Sequence, residues 1–376
     1  MVSVEYKKLG DIATYINGYA FKPEQRGSEG LPIIRIQDLT GNAYDLGYYN
    51  GDYPKKVELN DGDVLISWSA SLGVYLWNHG KALLNQHIFK VVFDKVEIDK
   101  FYFMYAVEYN LDKMSLKTHG ATMKHITKKD FDNVVIPYPD LDYQKEVAYR
   151  LTSLKGIIEK YQKQLDLLDE LVKARFVEMF GDLRINDKGW KYYKLDELTE
   201  LITDGEHATP KRTTQGIYLL SARNVLNHQL SLEDVDFIDC DEFDRISRRI
   251  IPKEGDVLIS CSGSIGRCCI VPKNIKFQMV RSIALLRFKS NINPVFAEYM
   301  ITSDYLQNQI NKSKTASSQA NLFQGKIKSL KGVVPPLELQ NQFASFVQEI
   351  DKSRLRELLA IKQTKLLLND SWLLLY

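Results

Sequence analysis

Gly62-Asp63-Val64-Leu65-Ile66-Ser67-Trp68-Ser69-Ala70-Ser71-Leu72-Gly73 returns as Gly255-Asp256-Val257-Leu258-Ile259-Ser260-Cys261-Ser262-Gly263-Ser264-Ile265-Gly266. The offset, 255 − 62 = 193, is about half of the 376-residue chain. Solenoid units repeat every 20–50 residues or so, so this spacing marks a duplicated domain. Flanking blocks extend the match. Lys8-Leu9-Gly10-Asp11-Ile12 aligns with Lys194-Leu195-Asp196-Glu197-Leu198 at 194 − 8 = 186, and Gly30-Leu31-Pro32-Ile33-Ile34 with Gly216-Ile217-Tyr218-Leu219-Leu220 at the same offset. Pro139, Leu141 and Gln144 align with Pro335, Leu337 and Gln340 at 335 − 139 = 196. The drifting offset places insertions between matching blocks. A shared framework with divergent intervening segments suits two modules that grip two related targets.

With 44% hydrophobic residues the chain has enough apolar content for two modest domains plus connectors. A net charge of +2 is too small to argue for nucleic acid by itself. No run of about 18 apolar residues offers a membrane span, and Met1-Val2-Ser3-Val4-Glu5-Tyr6 lacks a signal-peptide apolar region. A cytoplasmic location is expected. The four cysteines, Cys240, Cys261, Cys268 and Cys269, form no C-x-x-C pair and lack histidines at zinc-site spacing, so reduced thiols are expected.

Each copy opens with strand-like runs and ends with helical ones. Asn293-Pro294 has the form of a helix start before Val295 to Met300. Strands and helices without βαβ regularity predict an α+β class. After each copy the texture changes. Val147, Leu151, Leu154, Ile158, Tyr161, Leu165, Leu168 and Val172 alternate spacings of four and three, the seam of a coiled coil. Gly181 supplies the stop. Phe343, Val347 and Ile350 begin a second seam; Arg354 interrupts it, and Leu358, Ile361, Leu368 and Trp372 continue it after a one-residue phase adjustment. Seams this long would leave much apolar surface exposed if unpaired. Antiparallel pairing of the two helices is therefore expected, the alternative being that each covers its own domain. The implied division is residues 1–140 and 183–336 for the two repeated domains, and 141–182 and 337–376 for the helices. About 35 helical residues at ~1.5 Å each would make a ~50 Å strut.

Motifs for catalysis are missing. The chain has no Asn-Pro-Pro-aromatic or Asp-Pro-Pro-Tyr tetrapeptide, no G-x-G-x-x-G after a strand and no P-loop. Pro139-Asp140 lacks the acid-x-Lys continuation of a metal nuclease, and no metal site is expected. Binding signals are present instead. In the first copy Lys117, His119, Thr122, Lys124, His125 and Lys128 crowd one segment; in the second, Lys314, Ser317, Ser318, Gln319 and Asn321 do the same. Thr122 matches Ser318, and His125 matches Asn321. Lysines among small hydroxyl residues suit phosphate contact, while Gln, Asn and His can address base edges. His207, Lys211 and Arg212, and Arg267 beyond the serine-rich block, are further DNA candidates. The alternation Ser67/Ser69/Ser71 and Ser260/Ser262/Ser264 serves a turn as well as it serves DNA contact.

The ordered blocks resemble the specificity subunit of type I restriction–modification systems: Lys-Leu-Gly-Asp-Ile at Lys8, the doubled Gly-Asp-Val-Leu-Ile-Ser, Pro-x-Pro-x-Leu-x-x-Gln from Pro137, and Phe176-Val177-Glu178-Met179-Phe180-Gly181-Asp182. The second helix lacks that Phe-Gly-Asp ending. The resemblance implies a subunit without an active site, whose two domains read the halves of a split, asymmetric site in double-stranded DNA. It also implies two modification subunits that methylate adenine and a restriction subunit that cleaves. S-adenosylmethionine, ATP and magnesium would then reside on those partners and no cofactor on this chain. An assembly scaffold that has lost DNA reading, and a self-contained restriction enzyme, are the rival functions.

A helical strut of fixed length sets an upper bound on half-site separation, about 15 base pairs at ~3.4 Å each. Deleting one heptad from both long helices is expected to shorten the unread spacer in a methylation footprint; an unchanged spacer would refute the ruler.

Overall fold

The computed structural model describes residues 5–42, 45–117, 127–312 and 321–373, with the side chains of 112–117 and 373 outside that description. The chain forms two compact units, Met1–Lys163 with Leu358–Tyr376, and Gln164–Glu357. Each contains one copy of the repeated block and one half of each long helix.

The repeated block builds the same structure twice. Gly62 and Gly255 turn the chain at φ 89° and 83°, a backbone region that favours glycine. The aspartate that follows closes the turn and anchors the sheet. Asp63 accepts from the Asn60 N–H at 2.8 Å and pairs with Lys90 at 2.7 Å; Asp256 accepts from the Lys253 N–H at 2.8 Å and pairs with Arg287 at 2.7 Å. Val-Leu-Ile then forms a fully buried strand, Val64–Ser67 or Val257–Ser260. The terminal serines, both buried, donate to the carbonyls of Ser71 and Ser264 at 2.5 and 2.6 Å. Ser67 and Ser260 therefore clamp the ensuing loop, which settles their share of the serine alternation in favour of a turn.

In the first unit this strand lies in an antiparallel sheet ordered Thr14–Asn17, Ile88–Val92, Val64–Ser67, Gly73–Leu76; the second repeats it as Thr199–Asp204, Ile283–Phe288, Val257–Ser260, Cys268–Ile270. A second sheet in each unit contains one parallel pair, Leu31–Ile34 with Ala82–Leu84 and Ile217–Leu220 with Phe277–Met279. The offset grows by 193 − 186 = 7 between these blocks. In that interval the second copy carries the helix Cys240–Ser247, and the first a short turn at Lys55–Val57. Cys261, Cys268 and Cys269 are buried among these strands, and burial pushes the Cys261 thiol up to about 12.

The long helices are Leu141–Phe180 and Leu337–Leu373. Each starts on a buried glutamine. Gln144 accepts from the Asp99 N–H at 2.9 Å and donates to the Pro139 carbonyl at 2.8 Å; Gln340 accepts from the Asn293 N–H and donates to the Pro335 carbonyl, both at 2.8 Å. This is the physical content of the Pro-x-Leu-x-x-Gln signature: one side chain satisfies backbone groups on either side of the domain–helix joint.

Within the second unit Asp169 meets Arg354 at 2.6 Å and Phe176 meets Phe343 at 5.4 Å, so one helix descends as the other rises and the pairing is antiparallel. Within the first, Trp372 stacks on Tyr109 at 5.5 Å with Lys155 over its ring. On the first helix Val147, Leu151 and Val172 are buried, and Leu154, Ile158, Tyr161, Leu165 and Leu168 are half-buried. On the second, Phe343, Val347 and Ile361 are buried and Ile350 half-buried. Leu358 departs from expectation: it is 53% exposed. No phase adjustment occurs. The sheltered face continues through Arg354, Glu357, Ile361, Thr364 and Leu368 at the uninterrupted four-three spacing, so polar residues occupy positions that hydrophobicity alone assigned to a neighbour. Thr364 and Ser371 satisfy their hydroxyls on carbonyls four residues back, Ala360 and Leu367.

Replacing Gln340 with Ala strands the Asn293 N–H and the Pro335 carbonyl, a loss of about 1–3 kcal/mol for a buried group left unpaired. Urea denaturation is expected to show the second unit weakened by that amount.

Candidate nucleic-acid interface

Tight chain crossings place the candidate residues. Gly18 and Gly205 end equivalent strands, where a Cβ would stand 1.9 Å from the Asn85 carbonyl oxygen and 2.4 Å from those of Met279 and Val280. The next residues make matching parallel bridges, Tyr19 with Asn85 and Glu206 with Val280. The framework thus delivers a loop to one place in both units, and the loops diverge from there.

In the first unit the loop is fastened by aromatic packing. Tyr19 meets Phe21 edge-on at 4.9 Å, and Phe21 meets Tyr49 at 5.1 Å. In the second it is fastened by charge. The Lys211 N–H donates to Glu242 at 3.1 Å, and Arg245 grips Glu242 with two bonds of 2.8 and 2.9 Å and approaches Glu206 at 3.7 Å. Arg245 hydrogen-bonding holds the Glu242 carboxyl down to about 2. Arg212 pairs with Asp236 at 3.0 Å, and exposed His207 lies 3.6 Å from Asp204. Sequence reasoning selected His207, Lys211 and Arg212 but missed Glu242 and Arg245, which lie on the inserted helix and touch the loop only through the tertiary fold.

Beside this loop the second unit has a concavity of about 360 Å³ lined by Ser221, Arg223, Ser262, Ser264, Arg267 and Ser282, with Ala222 and Gly263. Three chain segments converge there. The loop after strand Ile217–Leu220 contributes Ser221 and Arg223, the serine-rich hairpin contributes Ser262 to Arg267, and the approach to strand Ile283–Phe288 contributes Ser282. The Arg281 N–H donates to the Glu206 carbonyl at 2.9 Å, tying this wall to the charged loop. Asn321 bridges Ser262, and the Leu322 N–H donates to the Cys261 carbonyl at 2.8 Å. Asn321, distant in sequence from Arg267, is thereby bridged to Ser262 of the same lining. Lys128 begins a helix capped by Thr127 and pairs with Asp132 at 2.6 Å. Lys117 ends the helix Lys100–Lys117, its side chain undescribed; His119, Thr122, Lys124, His125, Lys314, Ser317, Ser318 and Gln319 lie outside the described residues.

The architecture defines a class: an internally duplicated chain whose two mixed α/β units each incorporate halves of two antiparallel helices. The family described as "Type I restriction modification DNA specificity domain" matches twice, over residues 1–168 and 187–364. The chain belongs to this family of specificity subunits. It is 24% identical to the Type I restriction enzyme EcoBI specificity subunit of Escherichia coli, over 91% of this chain and 78% of that protein. It is 22% identical to the MjaVIII specificity subunit of Methanocaldococcus jannaschii, over 92% and 86%. The fold matches the crystal structure of a type I restriction–modification S subunit from M. genitalium with a TM-score of 0.61 at 14% identity, covering 100% of this chain and 97% of that one.

The low Glu242 pKa fixes a pH response. The folded carboxyl releases its proton more readily than the usual value of 4.5, so the clamp stabilises the unit above that pH and is lost as pH falls toward about 2. Protection factors of the amides of residues 204–215, taken against the intrinsic exchange rate at each pH, should fall across that window, while Glu242→Gln should show lower protection already at neutral pH and no further fall there.

Proposed function

We propose that this chain is the DNA-reading subunit of a type I restriction–modification complex, with each unit recognising one half of an interrupted, asymmetric duplex site. The duplicated framework carrying divergent loops is the observation that carries this reading: equal scaffolds give equal placement, and unequal loops give unequal sequence preference. Arg267 and Asn321, with Lys128 and the 204–215 loop, supply phosphate and base contacts of the kind such reading requires.

The chain contributes no reaction step on this reading. Two modification subunits would dock on the long helices and methylate adenine using S-adenosylmethionine, and a restriction subunit would use ATP and magnesium. The exposed Leu167, Leu171, Leu355, Leu359, Leu366 and Leu367 of those helices supply apolar surface for docking. A target adenine must leave the base stack to reach a partner's active site, so the reading units must hold a distorted duplex. Among the described residues no helix is long and apolar enough to cross a membrane; the setting on this reading is the cytoplasm.

Sequencing modified adenines in cells carrying the chain with intact partner genes is expected to give a split motif with one modified adenine on each strand. Deleting the chain should abolish it. An uninterrupted motif, or methylation that survives deletion, would refute the reading. A scaffold without DNA preference would show itself in gel shifts as equal binding to the motif and to scrambled duplex.

A further inference from the structure

We propose that the serine–arginine concavity of the second unit seats a backbone phosphodiester of duplex DNA, and that the first unit has no such seat. The inference rests on the DNA-reading function above and assigns it a particular contact. The lining decides the ligand class. Ser221, Ser262, Ser264 and Ser282 offer hydroxyls, Arg223 and Arg267 offer guanidinium donors, and neither carboxylate nor aromatic ring lines the space. A base pocket needs a flat apolar or aromatic face for stacking. An anion needs cations and O–H or N–H donors without competing acids.

The donors are already in place. Ser282 accepts from the Ala222 N–H at 3.0 Å, which leaves its own proton free to give. The backbone of Arg267 is held at both ends by Ser260: its N–H donates to Ser260 Oγ at 2.9 Å, and its carbonyl accepts from the Ser260 N–H at 2.9 Å. Among the described residues no carboxylate forms an ion pair with Arg267. Arg223 differs, being oriented by Asp234 at 3.2 Å and Asp236 at 3.3 Å. Arg267 thus supplies the uncompensated charge, and Arg223 a pre-aimed donor.

The framework identifies the corresponding first-unit positions. Arg267 becomes Gly73, since Ser67 Oγ faces the Gly73 carbonyl as Ser260 Oγ faces that of Arg267; Arg223 becomes Gln37 at 186, and Ser282 becomes His87, each one residue before the strands Ile283–Phe288 and Ile88–Val92. His87 there packs edge-on against Trp68 at 5.0 Å. Both cations of the seat are replaced; Ser69 and Ser71 keep two of its hydroxyls, and Arg35 stands at the Ser221 position but is held by Asp38 at 2.9 Å, so the uncompensated cationic contact belongs to the second unit.

The test is fluorescence anisotropy of the full-length chain on a mixed-sequence duplex across a potassium chloride series. Each phosphate contact contributes about 0.9 to the slope of log K against log salt. Arg267→Ala is expected to lower the slope by about 0.9, and Arg267→Lys to restore it, since charge is retained. Arg267→Gln carries the same expectation as Ala should the latter fail to fold. An Arg267→Ala slope equal to wild type would overturn the phosphate seat while leaving DNA reading intact. So would an unchanged slope accompanied by altered base preference, which would make Arg267 a base reader. Absence of wild-type binding at every salt concentration would instead sink the DNA-reading function, and the seat with it.

Discussion

Phe343 packs against Phe176 and Phe180 at 5.4 and 5.5 Å, and Phe180 against Phe296 at 4.8 Å. Both long helices and the second domain's own helix Pro294–Thr302 thereby enter one core. The first unit repeats the constraint: Val147, Ala148 and Leu151 are part of its main cluster, with Leu368 and Trp372 packed against it. The helices do not end where the domains begin. They complete the domain cores, so the direction in which each helix leaves is set by side chains that must also be buried for the domain to fold. Interiors packed at crystal-like density transmit such constraints.

That coupling explains which parts of the sequence repeat. The Gly-Asp turn, the buried Val-Leu-Ile strand, the clamping serine and the helix-opening glutamine all act on backbone placement, and each recurs with the same partner type. Residues outside this set are free to change. Glycine is held at positions 18 and 205 by carbonyl oxygens under 2.5 Å from any added carbon, yet one residue later the chain has Tyr19 in one copy and Glu206 in the other. The restraint stops where the loop begins.

The same division governs what could be read without coordinates. Class, duplication and paired helices were legible, because they rest on spacing and on backbone-directed residues. The two seams were visible as alternations of four and three, and the second went astray only at Leu358. There the eye follows hydrophobicity, while the helix keeps its period and shelters Glu357 instead. The loop clamp and the serine–arginine concavity were not legible. Their members, such as Glu242 with Lys211 or Arg223 with Ser282, lie about 30 to 60 residues apart with no period between them; only the sheet order unites them. The serine alternation was ambiguous for a physical reason, since Ser67 and Ser260 serve the turn and Ser262 and Ser264 face the concavity.

The polar seam residues bear on alignment. A strictly apolar heptad seam is nearly as content after a slip of one heptad, because each knob finds an equivalent hole. Arg354 removes that degeneracy. It reaches Asp169 at 2.6 Å while Asp351, one turn earlier on its own helix, holds its other nitrogen at 2.6 Å. Seven residues beyond Asp169 on the facing helix is Phe176, so a slip in that direction would set a guanidinium against an aromatic core and strip it of its facing carboxylate. Both carboxylates are more than half exposed, so the pair adds little stability, but the guanidinium is sheltered and a slip would leave it without its facing partner. The pair is thus weak as a source of stability and strong as a selector of register, and register fixes which turn of one helix Phe343 and Phe176 bring into the shared core.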